Sequence, residues 1–387
     1  MRRRARELLC RSVVVALFCA GSVSAREITV RQDASGDFTS LEAAANSLSV
    51  GDTLSIGAGV WSEVYPWDAG TSGIVEVLLG VSVDSVTIIG DQAGGTVLES
   101  DEGQGTAITT SATVEFTRIE NVRVKGVARG YVGLGSDAVE LRNVRFDQCE
   151  IPAFITGLAT FDNCTFARTT NVGVFGANSN AQVSLMRCDF VEGLGGLQMN
   201  PGSAGEVVNC DFDGVDSAVI ADGASITVSD TQFRNLSLPL TARRGGNLDV
   251  RRVQAETASF GGIYCQSSSI VHVLDSSFID VQSPVIDISS GGQVHMTSSQ
   301  ILPRDNGLFI NASTLTTSPR IDLNFENNYW GTTDAEEIRA RIVDGEDWPG
   351  NPAFNIFVDF EPFLLDPVKG AAQTMGSFKV RFLPREN

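Results

Sequence analysis

Two histidines and an aspartate recur at an interval that could bring them together as an acid–base or metal site. His272 and His295 are the only histidines of the chain, and Asp249 comes 23 residues before the first of them, the same interval that separates the two. On neighbouring strands, such an Asp-His-His set could hold Zn²⁺ or transfer protons near neutral pH. Three ligands in one straight column do not converge as tetrahedral coordination requires, so a solvated polar column is the alternative.

An acidic cluster offers oxygen ligands instead. Asp211, Asp213 and Asp216 lie close together in sequence, and Asp189 occupies a position equivalent to that of Asp211. Ca²⁺ takes such hard oxygen ligands, and its binding would relieve the repulsion between the carboxylates. The Gly-Gly-x-Gly-x-Asp spacing of calcium-binding β-rolls is absent, so a solvated acidic edge is the alternative. The sequence indicates no other cofactor.

The elements that must position these side chains follow from a repeat of about 22 residues. Each repeat carries an anchor residue, usually phenylalanine, on a strand that we call the anchor strand. The anchors are Val124, Phe146, Phe166, Phe190, Phe212, Phe233, Ala255, Phe278, Ile301 and Tyr329. Apolar residues also recur five and seven positions before the anchor, which predicts a strand with one buried face, the lead strand.

The lead and anchor strands are separated by a column that tolerates turns. Asn, Asp, Arg or Ser recurs three positions before the anchor, as in Asn121, Asn143 and Asn163. Asn and Asp accept left-handed backbone, so this column predicts a tight corner. A third strand, seen at 262–266 and 284–288, completes the coil. Three short strands per coil predict an all-β chain that folds as a single parallel β-helix.

Stacked coils leave open sheet edges, so each end needs a cap. Thr39-Ser40-Leu41-Glu42 has the spacing of a capping box and predicts a helix over about 39–49. Thr333-Asp334-Ala335-Glu336 repeats that spacing before Ile338 and Ile342. We therefore expect the β-helix with its N-terminal cap over 26–330, and a C-terminal capping helix and tail over 331–387.

The N-terminal segment predicts export. Residues 1–25 combine a basic start, a short apolar run and small residues before a cleavage site after Ala25, as in a secretory signal peptide. The mature protein is expected to be secreted or periplasmic, and no stretch is long enough to span a membrane. A formal net charge of −19 argues against nucleic acid as a partner. The capped ends favour a monomer.

The cysteines follow the same repeat. Cys164, Cys188 and Cys210 each stand two positions before an anchor, so they should face inward on three successive coils. Parallel Cα–Cβ vectors on stacked strands do not suit a disulfide, and we predict buried free thiols. Metal binding is the alternative.

Two passages resemble a known family. The segment ITVRQDASGDFTSLEAAANSLSVGDTLSIGAGVWSE at 28–63 is similar to the opening of exported right-handed β-helix proteins of the pectin-lyase-like superfamily. NNYWGTTD at 327–334 resembles the closing segment of the exported bacterial right-handed parallel β-helix repeat proteins. The resemblance implies the right-handed form of the helix. It carries over no catalytic residue, because the motifs of pectin methylesterases, pectate lyases and polygalacturonases are absent.

Enzymes of this superfamily usually have their cleft on the face of the third strands, so the resemblance directs attention to the outward residues there. By spacing these are Gln198, Val219, Thr241, Tyr264, Asp287 and Phe309, with Arg243 and Gln266 two positions further on. Thr241, Arg243, Tyr264, Gln266 and Asp287 could stack on and hydrogen-bond a sugar, and Arg243 with Arg244 could pair a carboxylate. A solvated sheet would produce a similar alternation.

These observations favour an exported β-helix that presents a rigid surface for binding, with a glycan or a cell-surface partner as the ligand. No dense carboxylate, arginine or lysine constellation marks one point along the coils. The alternatives are a lyase or hydrolase of acidic polysaccharide working around Arg243, Tyr264 and Asp287, and a structural surface component.

Overall fold

The chain winds into a right-handed parallel β-helix, described by a computed structural model over residues 25–69, 73–100, 103–135, 138–312, 320–351 and 353–368. The predicted signal peptide up to residue 24 and the predicted tail from 369 lie outside the described residues. Nearly all strand pairs are parallel, as the spacing of the repeat predicts, because the chain winds in the same direction in every coil and equivalent strands stack on one another. Within the described residues, no helix is long and apolar enough to cross a membrane.

Each coil contributes up to three strands. The lead strands form one sheet of twelve, namely Glu27–Val30, Thr53–Ile56, Val86–Ile89, Phe116–Glu120, Ala138–Arg142, Leu158–Asp162, Gln182–Met186, Ala204–Val208, Ser225–Ser229, Asn247–Arg251, Ile270–Leu274 and Gln293–Thr297. The anchor strands are Gly59–Trp61, Thr96–Glu99, Arg123–Lys125, Arg145–Asp147, Thr165–Thr169, Gln232–Arg234, Gln254–Glu256, Ser277–Val281 and Gln300–Pro303.

The third strands lie beside the anchor strands and share their sheet. They are Tyr65–Asp68, Ile74–Val81, Thr106–Thr110, Arg129–Gly133, Ile151–Ile155, Val174–Gly176, Leu238–Arg243, Ile263–Gln266, Ile286–Ser289, Ile310–Asn311 and Ile342–Val343. In two coils, Asp189–Met199 and Asp211–Asp222, the anchor and third strands are continuous. A small separate sheet pairs Ile321–Asn324 with Ile356–Asp359.

The core is built around a stack of phenylalanine rings. Phe166, Phe190 and Phe212 are register partners on successive anchor strands, and their ring centroids are 4.5 and 4.4 Å apart. All three side chains are buried, so each coil stabilises the next through apolar burial and ring stacking. Gly196 on the neighbouring third strand leaves room for the ring of Phe212, because a Cβ there would lie 2.5 Å from its Cε1.

The predicted corner column is confirmed by the backbone. Asn121, Asn143 and Asn163 have φ values between 53° and 58°, and the equivalent residues from Arg187 to Ser298 adopt the same left-handed conformation. The asparagines also form a ladder, since the amide of Asn143 donates to Asn121 at 3.2 Å and the amide of Asn163 donates to Asn143 at 2.7 Å. Short polar side chains thus satisfy one another along the outside of the corner.

The last predicted anchor is wrong by one residue. Tyr329 pairs with Gln300 and is only half-buried, whereas Trp330 follows it into the core above Ile301 with 1% of its surface exposed. Asn327 then takes the left-handed corner position. The spacing failed here because the interval to the final coil includes extra residues that carry the strand Ile321–Asn324.

Both predicted caps exist but are shorter than the sequence suggests. The first helix is Leu41–Asn46, with Ser40 rather than Thr39 as the N-cap residue. The second is Ala335–Arg339, capped by Asp334, and is followed by a 3₁₀ turn at Gly345–Asp347. Ile342 lies on a third strand instead of the helix.

The cysteine prediction is confirmed. Cys164, Cys188 and Cys210 are free and at most 3% exposed, as are Cys149 and Cys265 elsewhere in the core. Burial raises the pKa of Cys149 to about 11 and that of Cys265 to about 12, so these two thiols stay protonated at neutral pH.

Candidate functional site

The outward column of the third strands forms one continuous line across eight coils. Its members pair in register in the order Phe154, Phe175, Gln198, Ile220, Thr241, Tyr264, Asp287 and Asn311. Their immediate neighbours, such as Leu240 and Ile263, are buried, so the column faces outward. At a strand spacing of about 4.8 Å the line is roughly 34 Å long. We call it the third-strand column.

Two residues assigned to this column by spacing face the core instead. Val219 and Phe309 are fully buried, and their places in the column belong to Ile220 and Asn311. Ile220 stands eight residues after its anchor, as Gln198 and Thr241 do, so Val219 was placed one residue too early. The turn after Ile301 is longer and puts Asn311 ten residues after its anchor, so Phe309 was placed two residues too early. A one-residue slip reverses the face of a strand.

The middle of the column is internally hydrogen-bonded. The hydroxyl of Tyr264 donates to Oε1 of Gln266 at 3.1 Å, and the amide of Asn311 donates to Oδ1 of Asp287 at 2.9 Å. Burial raises the pKa of Asp287, and the hydrogen bond from Asn311 opposes that rise. Tyr264, Gln266 and Asp287 are all half-buried, while Thr241 is 6% exposed. This part of the face therefore combines the aromatic ring of Tyr264 with hydrogen-bond donors and acceptors that are held in fixed positions.

The sequence analysis treated Arg243 as available to a ligand, but in the structure its side chain is paired within the chain. Its Nε donates to Asp222 at 3.0 Å, and Arg244 donates to both carboxylate oxygens of the same residue. The side chain of Asp222 is fully buried. Burial would raise its pKa, but the hydrogen bonds and charges of the two arginines outweigh burial and lower it. Arg243 and Arg244 therefore already pair a carboxylate of this chain.

An aromatic end of the column was missed. Phe154 and Phe175 are half-buried, with ring centroids 5.5 Å apart, and the guanidinium of Arg129 lies 5.5 Å from the Phe154 ring centroid. Two outward phenylalanines on successive third strands were the available signal, but the candidate list began one coil later, at Gln198. Sugars stack on such partly exposed rings through their apolar faces.

The histidine column has the predicted register but not the geometry of a metal centre. Asp249, His272 and His295 are partners on successive lead strands, and the imidazole rings stack with centroids 5.4 Å apart. Asp249 binds Arg251 at 2.7 Å, and Nδ1 of His295 accepts a hydrogen bond from the backbone of Asn324 at 3.2 Å. Burial, with the charge of His272, lowers the pKa of His295. The column lines an open depression of about 530 Å³.

The acidic cluster is divided among separate partners. Asp211 pairs with Arg234, Asp213 accepts from Asn235 at 2.9 Å, and Asp216 accepts from Ser237 at 3.4 Å. Asp189 is exposed at its surface, but desolvation by the strands around it and the neighbouring charge of Asp211 raise its pKa to about 6. In the part of the chain that the structure describes, no group of three or more His, Cys, Asp or Glu residues is arranged to hold a metal ion, and this includes both predicted clusters.

Comparison with known proteins identifies the fold. The family model for the right-handed β-helix region matches residues 72–233 and 195–329. A search of curated proteins finds no match. Among solved structures, a mannuronic acid specific polysaccharide family 6 lyase from human gut microbiota is similar with a TM-score of 0.43 and 12% identity, over 82% of this chain and 84% of the other.

Two further solved structures are also similar to this chain. The catalytic domain of a GH87 alpha-1,3-glucanase in complex with nigerose gives a TM-score of 0.42 and 13% identity, over 80% of this chain and 59% of the other. The tailspike gp49 of Acinetobacter baumannii bacteriophage Fri1, a capsular polysaccharide depolymerase, gives a TM-score of 0.37 and 14% identity, over 89% of this chain and 62% of the other. At such identities, these likenesses do not decide the activity of this chain.

Proposed function

Because the chain belongs to the right-handed β-helix family, we propose that its uninterrupted third-strand face binds an extended glycan. The carrying observation is the third-strand column itself: a half-buried aromatic pair at one end, then polar groups held in place by hydrogen bonds within the chain. A column about 34 Å long accommodates several sugars in a row. Preorganised side chains lose little conformational entropy when a ligand binds.

The same face argues for binding over hydrolysis. Glycoside hydrolases use two carboxyl groups about 5 to 9.5 Å apart. Among the described residues, Asp287 is the one carboxyl group of the third-strand column, and Asp222 on the same sheet lies three coils away, or roughly 14 Å by the strand spacing. Asp222 is also fully buried and committed to Arg243 and Arg244. The raised pKa of Asp287 is the observation that favours the alternative, a lyase or hydrolase of acidic polysaccharide.

A glycan-array screen of the purified protein tests the proposal. The hit glycan is then titrated into wild-type protein, Phe175→Ala, Tyr264→Ala and a control, Thr227→Ala, whose side chain is exposed on the lead sheet. We expect each aromatic substitution to weaken binding about tenfold, because the loss of one stacked ring costs roughly 1 kcal/mol or more. Unchanged affinity in both aromatic variants would refute the proposal.

A turnover assay on the same samples separates the two functions. Absorbance of unsaturated products on pectate and alginate reports lyase activity, and release of reducing ends reports hydrolysis. Turnover that disappears in Asp287→Asn would establish the enzymatic alternative. Binding without turnover supports a glycan-binding protein.

A further inference from the structure

Three arginines from three successive coils converge on one buried carboxylate, away from the third-strand column. Asp147 lies on an anchor strand and is fully buried. The Arg123 side chain donates to it at 2.8 Å, and Arg168 donates to both of its oxygens. Arg145 approaches at 3.9 Å, which is beyond hydrogen-bonding distance. The sequence analysis found no such constellation, because its three arginines are more than 20 residues apart in the chain.

The cluster carries more positive charge than Asp147 can neutralise. One carboxylate faces three guanidinium groups, so two positive charges remain. Hydrogen bonds from Arg168 and Arg123 lower the pKa of Asp147 despite its burial. Its carboxylate is therefore ionised, and its single negative charge is included in this balance. The adjacent Lys125 adds nothing, because it pairs with Glu99 at 2.6 Å.

The arrangement is unfavourable for the protein alone. Arg123 and Arg145 are direct partners on neighbouring strands, where like charges destabilise a sheet. The Nε atoms of both are buried without a hydrogen-bond partner. The three side chains nevertheless remain 37%, 41% and 47% exposed, so their remaining N–H groups are accessible from solvent. The nearest carboxylate further along the column of Arg145 is Asp189, two coils or roughly 10 Å away.

We propose that Arg123, Arg145 and Arg168 form a binding site for one oxyanion group, a carboxylate or a sulfate, carried by an acidic oligosaccharide. Guanidinium groups bind both anions through paired N–H donors. A compact site for one anionic group suits a glycan with spaced charges. Nucleic acid needs several phosphate contacts, and the formal net charge of −19 opposes a dense polyanion. The site lies on the anchor strands and does not depend on the proposed third-strand function.

Calorimetric titration at low salt tests the proposal with five probes. These are a sulfated oligosaccharide, an oligogalacturonate, an uncharged oligosaccharide of matched length, sodium sulfate and a short single-stranded DNA. Wild-type protein is compared with Arg145→Gln, which breaks no hydrogen bond to Asp147, and with Arg142→Gln, an exposed control on the lead sheet that is paired with Glu140. Circular dichroism and the melting temperature establish that each variant is folded. Arg123→Gln serves as a second variant.

We expect at least one charged oligosaccharide to bind at least tenfold more weakly to Arg145→Gln than to wild type, with Arg142→Gln unchanged. Binding should also weaken as salt is added, because exposed charges are screened. The proposal would be overturned if the uncharged oligosaccharide bound as tightly as the charged ones. It would also be overturned if both folded variants, Arg145→Gln and Arg123→Gln, bound the charged oligosaccharides as tightly as wild type. Sulfate alone binding as tightly as the oligosaccharides would refute the glycan part, and so would tighter binding of DNA.

Discussion

Replacing Gly196 with alanine would place a methyl group where the ring of Phe212 already packs. An ideal Cβ would lie 2.5 Å from Cε1 of Phe212 and 2.4 Å from the carbonyl oxygen of Ala218, both below the 3.0 Å that real Cβ contacts respect. The ring or the strand must shift, and overpacking of this kind costs about 1 to 3 kcal/mol. Phe212→Ala alone removes a fully buried ring, which costs about 3 to 5 kcal/mol.

The two substitutions should compensate each other in part. Without the ring, the methyl group of Ala at position 196 enters the vacated space. The free energy of unfolding of the double variant should therefore fall by about 1 kcal/mol less than the sum of the two single decreases. Relief is incomplete, since the clash with Ala218 does not involve the ring. Urea unfolding followed by circular dichroism measures all four proteins of this cycle.

A second cycle provides the control. Gly196→Ala combined with Phe278→Ala changes the same residue types, but the ring of Phe278 packs against Gly262 three coils away. Those two losses should add within about 0.5 kcal/mol. Additivity in the Gly196 and Phe212 pair as well would refute the packing argument.

Four further outcomes follow from the structure. Asn143→Ala should lower stability by about 1 to 2 kcal/mol in a thermal melt, because it removes two ladder hydrogen bonds at a residue with φ of 53°; an unchanged melt would contradict this. Asp222, whose pKa is lowered, should stabilise the fold above the unfolded-state pKa of about 3.9 and lose that contribution as pH falls through its folded value; Asp222→Asn should therefore flatten the acid limb of the stability curve, and an identical limb would count against the ion pair. Asp189, with a pKa of about 6, binds its proton more tightly when folded, so its contribution should rise as pH falls from about 6 to 4, and that gain should vanish in Asp189→Asn. In protein lacking residues 1–25, the five cysteines that the structure describes should resist a thiol reagent in the native state and react after unfolding; rapid native labelling would contradict their burial.

The sequence predicts those parts of the fold that repeat at short range. The corner residue comes three positions before the anchor in successive coils from Asn121 to Ser298, so both could be placed without knowing the stacking. Tyr329 was chosen over Trp330 because the last interval contains inserted residues. The third strands were harder, since a turn of variable length separates them from the anchor. Phe309 was misplaced for that reason, whereas Val219 was a miscount by one residue in a coil whose turn matches those of its neighbours.

The candidate sites depend on contacts between coils, which a single sequence does not display. Asp222 forms ion pairs with Arg243 and Arg244 of the next coil, and Asp147 forms ion pairs with arginines from the coils before and after its own. Their burial, which decides the pKa of each carboxylate, follows only from the stacked structure. The outward pair Phe154 and Phe175 was visible in the sequence and became significant through its position in the column.

Because the corner has the same backbone conformation in successive coils, one whole coil could be removed without changing the strands on either side. Met186 and Val208 occupy the same place on successive lead strands, and a left-handed residue follows each of them. Deleting residues 187–208 would join Met186 to Asn209, which enters the corner that Arg187 leaves. The chain could be shortened by one turn while every surviving residue keeps its orientation, and the third-strand column would contract by one strand spacing of about 4.8 Å.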